Sequence, residues 1–545
     1  MKHFLEIKTP AQSVAQERAS SFTLKHQGFP KLNRVYWNLP VPALCEEIVF
    51  RGEGRLAADG PVLVDTGRHT DQSPNDAFIT REASTEEHIG WGQHNRPFSP
   101  AKFSGLLNRL HAYLMDRDVF VQDVYAGADP GRRLAVRVIT ELAWHSLFAR
   151  HLFRPADTLD AQRDFAPDFT VLCIPSFQGS PEIDGAASQT FVALSLGQRL
   201  ALIGNTAYAG EIKRAVITYL NYTLPLDGVL TLNCAANVGP EGDPALLFGL
   251  PGTGKTTLAA DPRRRLLGDD EHGWSDEGIF NLENGCYARV AGLTAADAPQ
   301  LHPATRRFGS ILENVAYDPL SRIPDLSDVS RTDNARCACP LAFVDQAVAE
   351  PPAGHPRHVV MLIGDASGVM PPIARLTPEQ AVYQFISGYS ARINTPKSGK
   401  GAEPEVVFSP CFGAPSMVLP PGVYADLLLR KITRHGINCW LLNTGWVGRF
   451  GSGKRIGLHH SRALLQAALD GALDKVKYRK DSVFGFSVPL ACPNVPEDLL
   501  HPERAWRSKD AYAKCCRALA FRFAENFKKY KARCPAGVAK AGPKH

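Results

Sequence analysis

Long apolar runs are missing from this chain of 545 residues. No stretch reaches the roughly 18 consecutive apolar residues that a membrane-spanning helix needs, so no membrane partner is expected. The opening segment, Met1-Lys-His-Phe-Leu-Glu-Ile-Lys-Thr-Pro10, lacks the apolar centre of a secretion signal, which predicts a cytoplasmic protein. An excess of one charge sign is missing too. Lys+Arg 61 against Asp+Glu 55 leaves a net charge of +6, too little at this length to predict a nucleic-acid partner. Cysteine is sparse: the 12 thiols are scattered, which excludes a disulfide scaffold. Cys337-Ala-Cys339 and Cys515-Cys516 are the close pairs, and neither has a second pair at zinc-site spacing. Reduced thiols are the expectation. Repeats and low-complexity blocks are also absent, and 44% hydrophobic with 21% charged residues excludes a mainly disordered chain.

Short apolar runs recur at Pro61–Asp65, Asp118–Gln122, Phe169–Ile174, Gly228–Leu232, His358–Ile363 and Asn438–Leu442. Bounded by turn residues, these predict buried strands. Helical patterns cover Arg133–Arg150, Ser461–Leu473 and Lys509–Lys529. The mixture predicts a large α/β protein. Lys397–Glu403, small, charged and Gly-rich, reads as an exposed loop, as does the apolar-poor stretch Pro319–Asp333. The basic run Lys528–Arg533 reads as a solvated helix end, where cations suit the helix dipole.

The strongest local signal is Gly249-Leu250-Pro251-Gly252-Thr253-Gly254-Lys255-Thr256-Thr257, a phosphate-binding P-loop pattern. Ala245–Phe248 ahead of it reads as a strand, and Thr256–Ala260 opens a helix. Glycines let backbone N–H groups approach phosphates with no Cβ in the way. Lys255 supplies a point charge to the outer phosphates, and Thr256 offers its hydroxyl to Mg²⁺. Shortly after comes Arg265-Leu-Leu-Gly-Asp269-Asp270-Glu-His272-Gly-Trp274, a strand ending in paired carboxylates. Alone, such a pair is a turn or a cap; beside a phosphate loop it suits a divalent ion. His272 reads either as an acid or base or as a structural hydrogen-bonding residue. Trp446 and Phe450 read equally as an adenine pocket or as core. His459-His460 reads as a polar loop pair, and nothing around Cys234 predicts a lowered thiol pKa.

At these residues the chain resembles the ATP-dependent phosphoenolpyruvate carboxykinases. That family carries a Gly-Leu-x-Gly-Thr-Gly-Lys-Thr-Thr-Leu loop followed by Gly-Asp-Asp-Glu-His-Gly-Trp, here Gly249–Leu258 and Gly268–Trp274. Asp65–Gly67, Arg137–Trp144, Ala236–Gly239, Leu312–Val315, Asn443–Trp446 and Gly453–Arg455 also match, so the resemblance covers nearly the whole chain. It implies two mixed α/β domains with the nucleotide in the cleft between them. The substrate-side domain is expected over residues 1–235 and the nucleotide domain over 236–545. It implies a kinase and carboxy-lyase reaction, oxaloacetate plus ATP giving phosphoenolpyruvate, ADP and CO₂, with Mg²⁺ and Mn²⁺. Lys255, Thr256, Asp269, Asp270, Glu313, Arg336, Arg455 and Ser461 stand at positions the family uses around ATP and its metals, and Tyr208 and Lys213 fit its Tyr-Gly-Gly-Glu-x-Lys-Lys pattern.

Three positions depart from the family. Its substrate loop Gly-Arg-Ser-Pro-Lys-Asp-Lys reads Asp71-Gln72-Ser-Pro-Asn75-Asp76-Ala77 here, so the arginine that grips the substrate carboxylate is Gln72. Its Mn²⁺-binding lysine is Arg214, and its metal-binding histidine is Asn233. Arginine keeps its proton to about pH 12, so Arg214 is excluded as a ligand. An amide oxygen is a harder, weaker ligand for Mn²⁺ than imidazole. Gln72 cannot form a charged clamp, a loss worth on the order of 2–5 kcal/mol. Lys213, adjacent to Arg214, is expected to point elsewhere, with Arg214 near Asp270 as a fixed cation for the transferring phosphoryl group.

Three functions follow. The first is a phosphotransferase using ATP and Mg²⁺, with little need of Mn²⁺ and another acceptor, a small molecule or a protein. The second is a working carboxykinase with a rebuilt site. The third is a non-catalytic ATP sensor or scaffold.

Overall fold

A computed structural model of the chain describes residues 24–544, apart from Pro30, Asp297, 349–352 and 395–402. The opening segment, and the 397–403 loop except its last residue, lie outside the described residues. Three large sheets carry the architecture. The first has nine strands, among them Val119–Ala126, Leu134–Thr140, Phe169–Ile174, Leu200–Gly204, Phe191–Ser195 and Ala77–Thr80. The second has ten, with Glu271–Trp274, Leu230–Val238, Pro244–Phe248, His358–Ile363 and Asn438–Asn443 side by side. The third has five among the described residues, and it joins segments far apart in the chain: Val62–Val64 pairs in parallel with Ile311–Glu313, which pairs with Arg336–Pro340. Residue 235 falls inside the strand Leu230–Val238.

The strands form where β-branched and apolar residues alternate or run together. Phe169–Ile174 and His358–Ile363 are buried at every position, as parallel strands covered on both faces must be. The helix Gly210–Leu226 joins the two largest sheets. Its Ile212, Val216 and Leu220 belong to the same buried cluster as Val136 and Val138 of the first sheet and Leu232, Leu246 and Met361 of the second. The helix is buried on nearly every side, as such an interior position requires.

The reading of Arg133–Arg150 as one helix is corrected. Leu134–Thr140 is a strand antiparallel to Val119–Ala126, and only Ala143–Leu152 is helical. Val136, Val138 and Ile139 favour the extended backbone. Arg137 sits within that strand without exposure because its Nε lies 2.8 Å from the equally buried Asp123 carboxylate. The C-terminal helices run Leu458–Leu469 and Lys509–Phe527. The basic run after the second is a turn with one short 3-10 stretch, Lys531–Arg533. Among the described residues no helix is long and apolar enough to cross a membrane. All twelve cysteines are free thiols.

Candidate active site

The phosphate loop leaves the strand Pro244–Phe248 and enters the short helix Lys255–Ala259. Gly252 and Gly254 have φ of 87° and 88°, a left-handed conformation that side chains resist. Gly249 is required for a different reason: a Cβ there would lie 2.3 Å from Thr253 Oγ1. The Thr253 hydroxyl closes the turn by donating to Leu250 O at 2.8 Å, and Thr444 Oγ1 donates to Thr253 O at 2.9 Å, tying the loop to the neighbouring strand. Pro251 is exposed at the tip, and Thr256 and Thr257 are half-buried at the helix start.

The strand Arg265–Gly268 brings Asp269 and Asp270 beside this loop. The Lys255 ammonium contacts Asp270 Oδ1 directly. Lys213 Nζ lies 2.8 Å from Asp270 Oδ2 and 2.8 Å from Glu283 Oε1. Burial alone would raise the Asp270 pKa, but Lys213 and then Lys255 reverse this and hold it well below the carboxylate range. Asn233 stands directly opposite Glu271 across two antiparallel strands. Its amide donates to Glu271 Oε1 at 2.8 Å, and its carbonyl accepts from Lys255 Nζ at 3.3 Å. Burial, with Asp270 adding, pushes Glu271 up to about 8, and burial pushes Glu283 up to about 7.

The expected orientation of the two consecutive basic residues is reversed. Lys213, not Arg214, faces Asp270. Neighbours on a helix point about 100° apart, so only one of them reaches the cleft. Arg214 instead turns toward the substrate-side loops, with Nη1 3.6 Å from Glu211 Oε2 and Nη2 donating to Pro415 O at 3.2 Å. Arg214 is therefore not the cation beside Asp270. Glu283 and Glu271 were not singled out from the sequence. Glu283 gives no local signal beyond an acidic residue beside buried Leu282.

Tyr208 is buried and its phenol is pushed up to about 12, by burial first. Tyr287 OH donates to Glu313 Oε1 at 2.9 Å. Arg336 lies over the Tyr287 ring at 4.7 Å and donates to Tyr287 O at 3.0 Å and to Asn334 Oδ1 at 3.2 Å. Burial pushes Glu313 up to about 7. Gln72 is exposed on its loop, its N–H donating to Asp71 Oδ1 at 2.7 Å. Arg68, the nearest arginine in the chain, does not take over a clamp: it is exposed and its Nε donates to His69.

At the other end, Arg455 lies over the Trp446 ring at 5.2 Å, and Trp446 and Phe450 meet edge to face at 5.2 Å. Arg455 Nη2 also reaches Gly252 O at 3.4 Å, which links this aromatic corner to the phosphate loop. Ser461 is buried in the first turn of its helix. His272 is fully buried, held by a 2.8 Å contact between Nδ1 and Cys234 O and lowered to about 4 by burial. Burial pushes the Cys234 thiol up.

The residues fit one divalent cation well. Asp269 Oδ1 is buried without a hydrogen-bond partner, and the nearby Thr256 hydroxyl lowers the pKa of the same carboxylate, against the rise from burial. An unpaired buried carboxylate oxygen beside a hydroxyl is a hard, oxygen-only donor set, as Mg²⁺ prefers. A second cation has less to hold it: Asp270 and the Asn233 carbonyl. Among the described residues no three His, Cys, Asp or Glu side chains gather in a metal-binding arrangement.

The sequence model of a family described as phosphoenolpyruvate carboxykinase, ATP type, matches residues 33–498. A phosphoenolpyruvate carboxykinase (ATP) of Geotalea uraniireducens is 48% identical over 518 residues, covering 95% of this chain and 97% of the relative. One from Thermus thermophilus is 49% identical over 525 residues, covering 96% and 99%. A third, from Moorella thermoacetica, is 48% identical over 527 residues, covering 96% and 99%. With the phosphate loop, the paired aspartates and the lysines that flank them all assembled, the chain belongs to the ATP-type phosphoenolpyruvate carboxykinase family, enzymes of the kinase and carboxy-lyase kind.

Proposed function

We propose that the chain is a working ATP-dependent carboxykinase with a rebuilt cation site, converting oxaloacetate and ATP to phosphoenolpyruvate, ADP and CO₂. The observation that carries this reading is the pair of ammoniums on Asp270: Lys213 at 2.8 Å on one oxygen and Lys255 on the other. Two lysines converge where the outer phosphates of ATP would lie on the loop. In this reading the backbone N–H groups of Gly252–Thr256 and the Lys255 ammonium bind the phosphates. Thr256 and Asp269 hold Mg²⁺, which when bound neutralises phosphate charge. Lys213 and Arg336 meet the charge that develops as the phosphoryl group moves to the enolate oxygen left by loss of CO₂. Tyr208 and Gln72 border the acceptor. Asp270 and Asn233 offer a second cation one carboxylate and one neutral amide, a sparse donor set, so Mg²⁺ at the first position suffices and Mn²⁺ adds little.

A second reading, transfer to another acceptor, draws on the substrate loop. Asp71 and Gln72 bring one negative charge and no positive one to the side where a dicarboxylate would be gripped. The same experiment separates both from a mere ATP-binding protein: γ-labelled ATP and Mg²⁺, with and without oxaloacetate. Label in phosphoenolpyruvate supports the first reading. Label leaving ATP only when another acceptor is supplied supports the second. ATP that raises the melting temperature and stays intact for hours overturns both.

A further inference from the structure

The loop that carries Asp71 and Gln72 has three backbone groups held by side chains distant in sequence. Thr66 N–H donates to Asn314 Oδ1 at 2.9 Å, and Asn334 Nδ2 donates to Thr70 O at 2.9 Å. The third fastening is Ser73 N–H, which donates to Glu211 Oε1 at 2.6 Å. Asp71 and Gln72 lie between the second and third points, so the Glu211 contact fixes the far end of their span.

Glu211 is itself held. It is fully buried in the first turn of the Gly210–Leu226 helix, and its other oxygen, Oε2, has no hydrogen-bond partner; the nearest cation is Arg214 Nη1 at 3.6 Å. Arg214 is also buried, and its second nitrogen, Nη2, donates to Pro415 O at 3.2 Å. Seven positions on, on the same helix face, Asn221 donates to Ser416 O at 2.9 Å, so two turns of the helix grip the 415–416 loop. A guanidinium spans Glu211 and Pro415 at once because its donors form a rigid fork; a lysine head is a single point and serves one of them at a time.

We propose that Arg214 is a positioning residue: by pairing with Glu211 it holds the Ser73 amide, and so sets the Asp71–Gln72 span against the acceptor side of the cleft. The part played in turnover rests on the carboxykinase reading above; the part played in holding the loop does not. The arrangement gives the arginine at this position a use of its own, separate from the cleft that Lys213 serves.

Hydrogen exchange of the peptide covering residues 68–78 tests it, measured by mass spectrometry with fragmentation to reach the Ser73 amide. Arg214→Met removes the counter-charge. Arg214→Lys keeps the charge without the fork. Glu211→Gln keeps the volume, which matters because a cavity of about 20 Å³ already adjoins Arg214 and Met would enlarge it. The Ser73 amide is expected to exchange at least tenfold faster in Arg214→Met and at least threefold faster in Glu211→Gln, with Arg214→Lys between wild type and Arg214→Met. The Thr66 amide, held by Asn314, should stay within twofold. In steady-state assays the KM for oxaloacetate should rise at least tenfold in Arg214→Met while the KM for ATP stays within twofold. Unchanged Ser73 exchange in both Arg214→Met and Glu211→Gln overturns the brace. Faster exchange with unaltered oxaloacetate kinetics overturns the positioning role. If the wild type turns over no oxaloacetate, the carboxykinase reading fails, and the exchange measurement still decides whether Arg214 holds the loop.

Discussion

Lys213 and the half-buried Asp270 form an ion pair at 2.8 Å, with the Lys255 ammonium on the far oxygen of the same carboxylate. One aspartate thus holds two cations apart and aimed at the mouth of the phosphate loop. Removing Lys213 also strips the buried Glu283 of its 2.8 Å partner, and taking one partner from a buried pair costs about 3–5 kcal/mol, much of it the penalty of the charge left behind. Lys213→Met should therefore lower phosphoryl-transfer turnover at least a hundredfold and reduce the melting temperature. Arg214→Lys should leave turnover within about fivefold of wild type, because that side chain faces the other way. Equal losses from Lys213→Met and Arg214→Lys, read in one assay series, would put the wrong residue in the cleft.

Metal preference should follow the donor atoms. Asn233 offers a neutral amide oxygen, a weaker donor to Mn²⁺ than the imidazole that a histidine would bring. Wild-type turnover with saturating Mg²⁺ should change less than twofold on adding Mn²⁺. Asn233→His should tighten Mn²⁺ activation by about 10- to 100-fold, the scale on which a change around a metal site alters affinity. Titration of Mn²⁺ against turnover at fixed Mg²⁺ reads this out; a wild type that is silent until Mn²⁺ is added contradicts it.

Gln72 is exposed and uncharged on the substrate loop. A guanidinium there would regain a bidentate contact with a carboxylate. Gln72→Arg should lower the KM for oxaloacetate at least tenfold and leave the KM for ATP unchanged. If both constants move together, the loop is not part of the acceptor site.

Glu313 carries a pH signature. Burial raises its pKa from 4.5 to about 7. A carboxyl whose folded value lies above its unfolded one binds more protons when folded. Its contribution to stability is complete below pH 4.5 and is lost as the pH rises through about 7. At about 1.4 kcal/mol per unit, the loss is on the order of 3 kcal/mol. The nucleotide-free protein should melt lower at pH 8 than at pH 6, and Glu313→Gln should remove part of that difference. An identical pH slope in the variant would show that Glu313 is ionised throughout.

The sequence was most legible where chemistry is local. The phosphate loop follows from its glycine spacing, and Phe169–Ile174 and His358–Ile363 from unbroken apolar runs that no helix face explains. Leu134–Thr140 was misread because Arg137 interrupts its apolar pattern, and the Asp123 partner that permits burial lies on another strand. The orientation of Lys213 was hidden for a similar reason. Which of two consecutive basic residues enters a cleft depends on the rotation of the helix about its axis. The packing of Ile212 and Val216 against two sheets sets that rotation, and no property of residues 213 and 214 does. Glu283 and Glu211 became visible as site residues only through partners distant in sequence.

The most direct measurement follows γ-labelled ATP with Mg²⁺ and oxaloacetate, with no Mn²⁺ present, and resolves the products. The rebuilt-site carboxykinase predicts label in phosphoenolpyruvate, dependent on oxaloacetate and lost in Lys213→Met. Label that stays in ATP, or appears as inorganic phosphate at a rate indifferent to oxaloacetate, would contradict it.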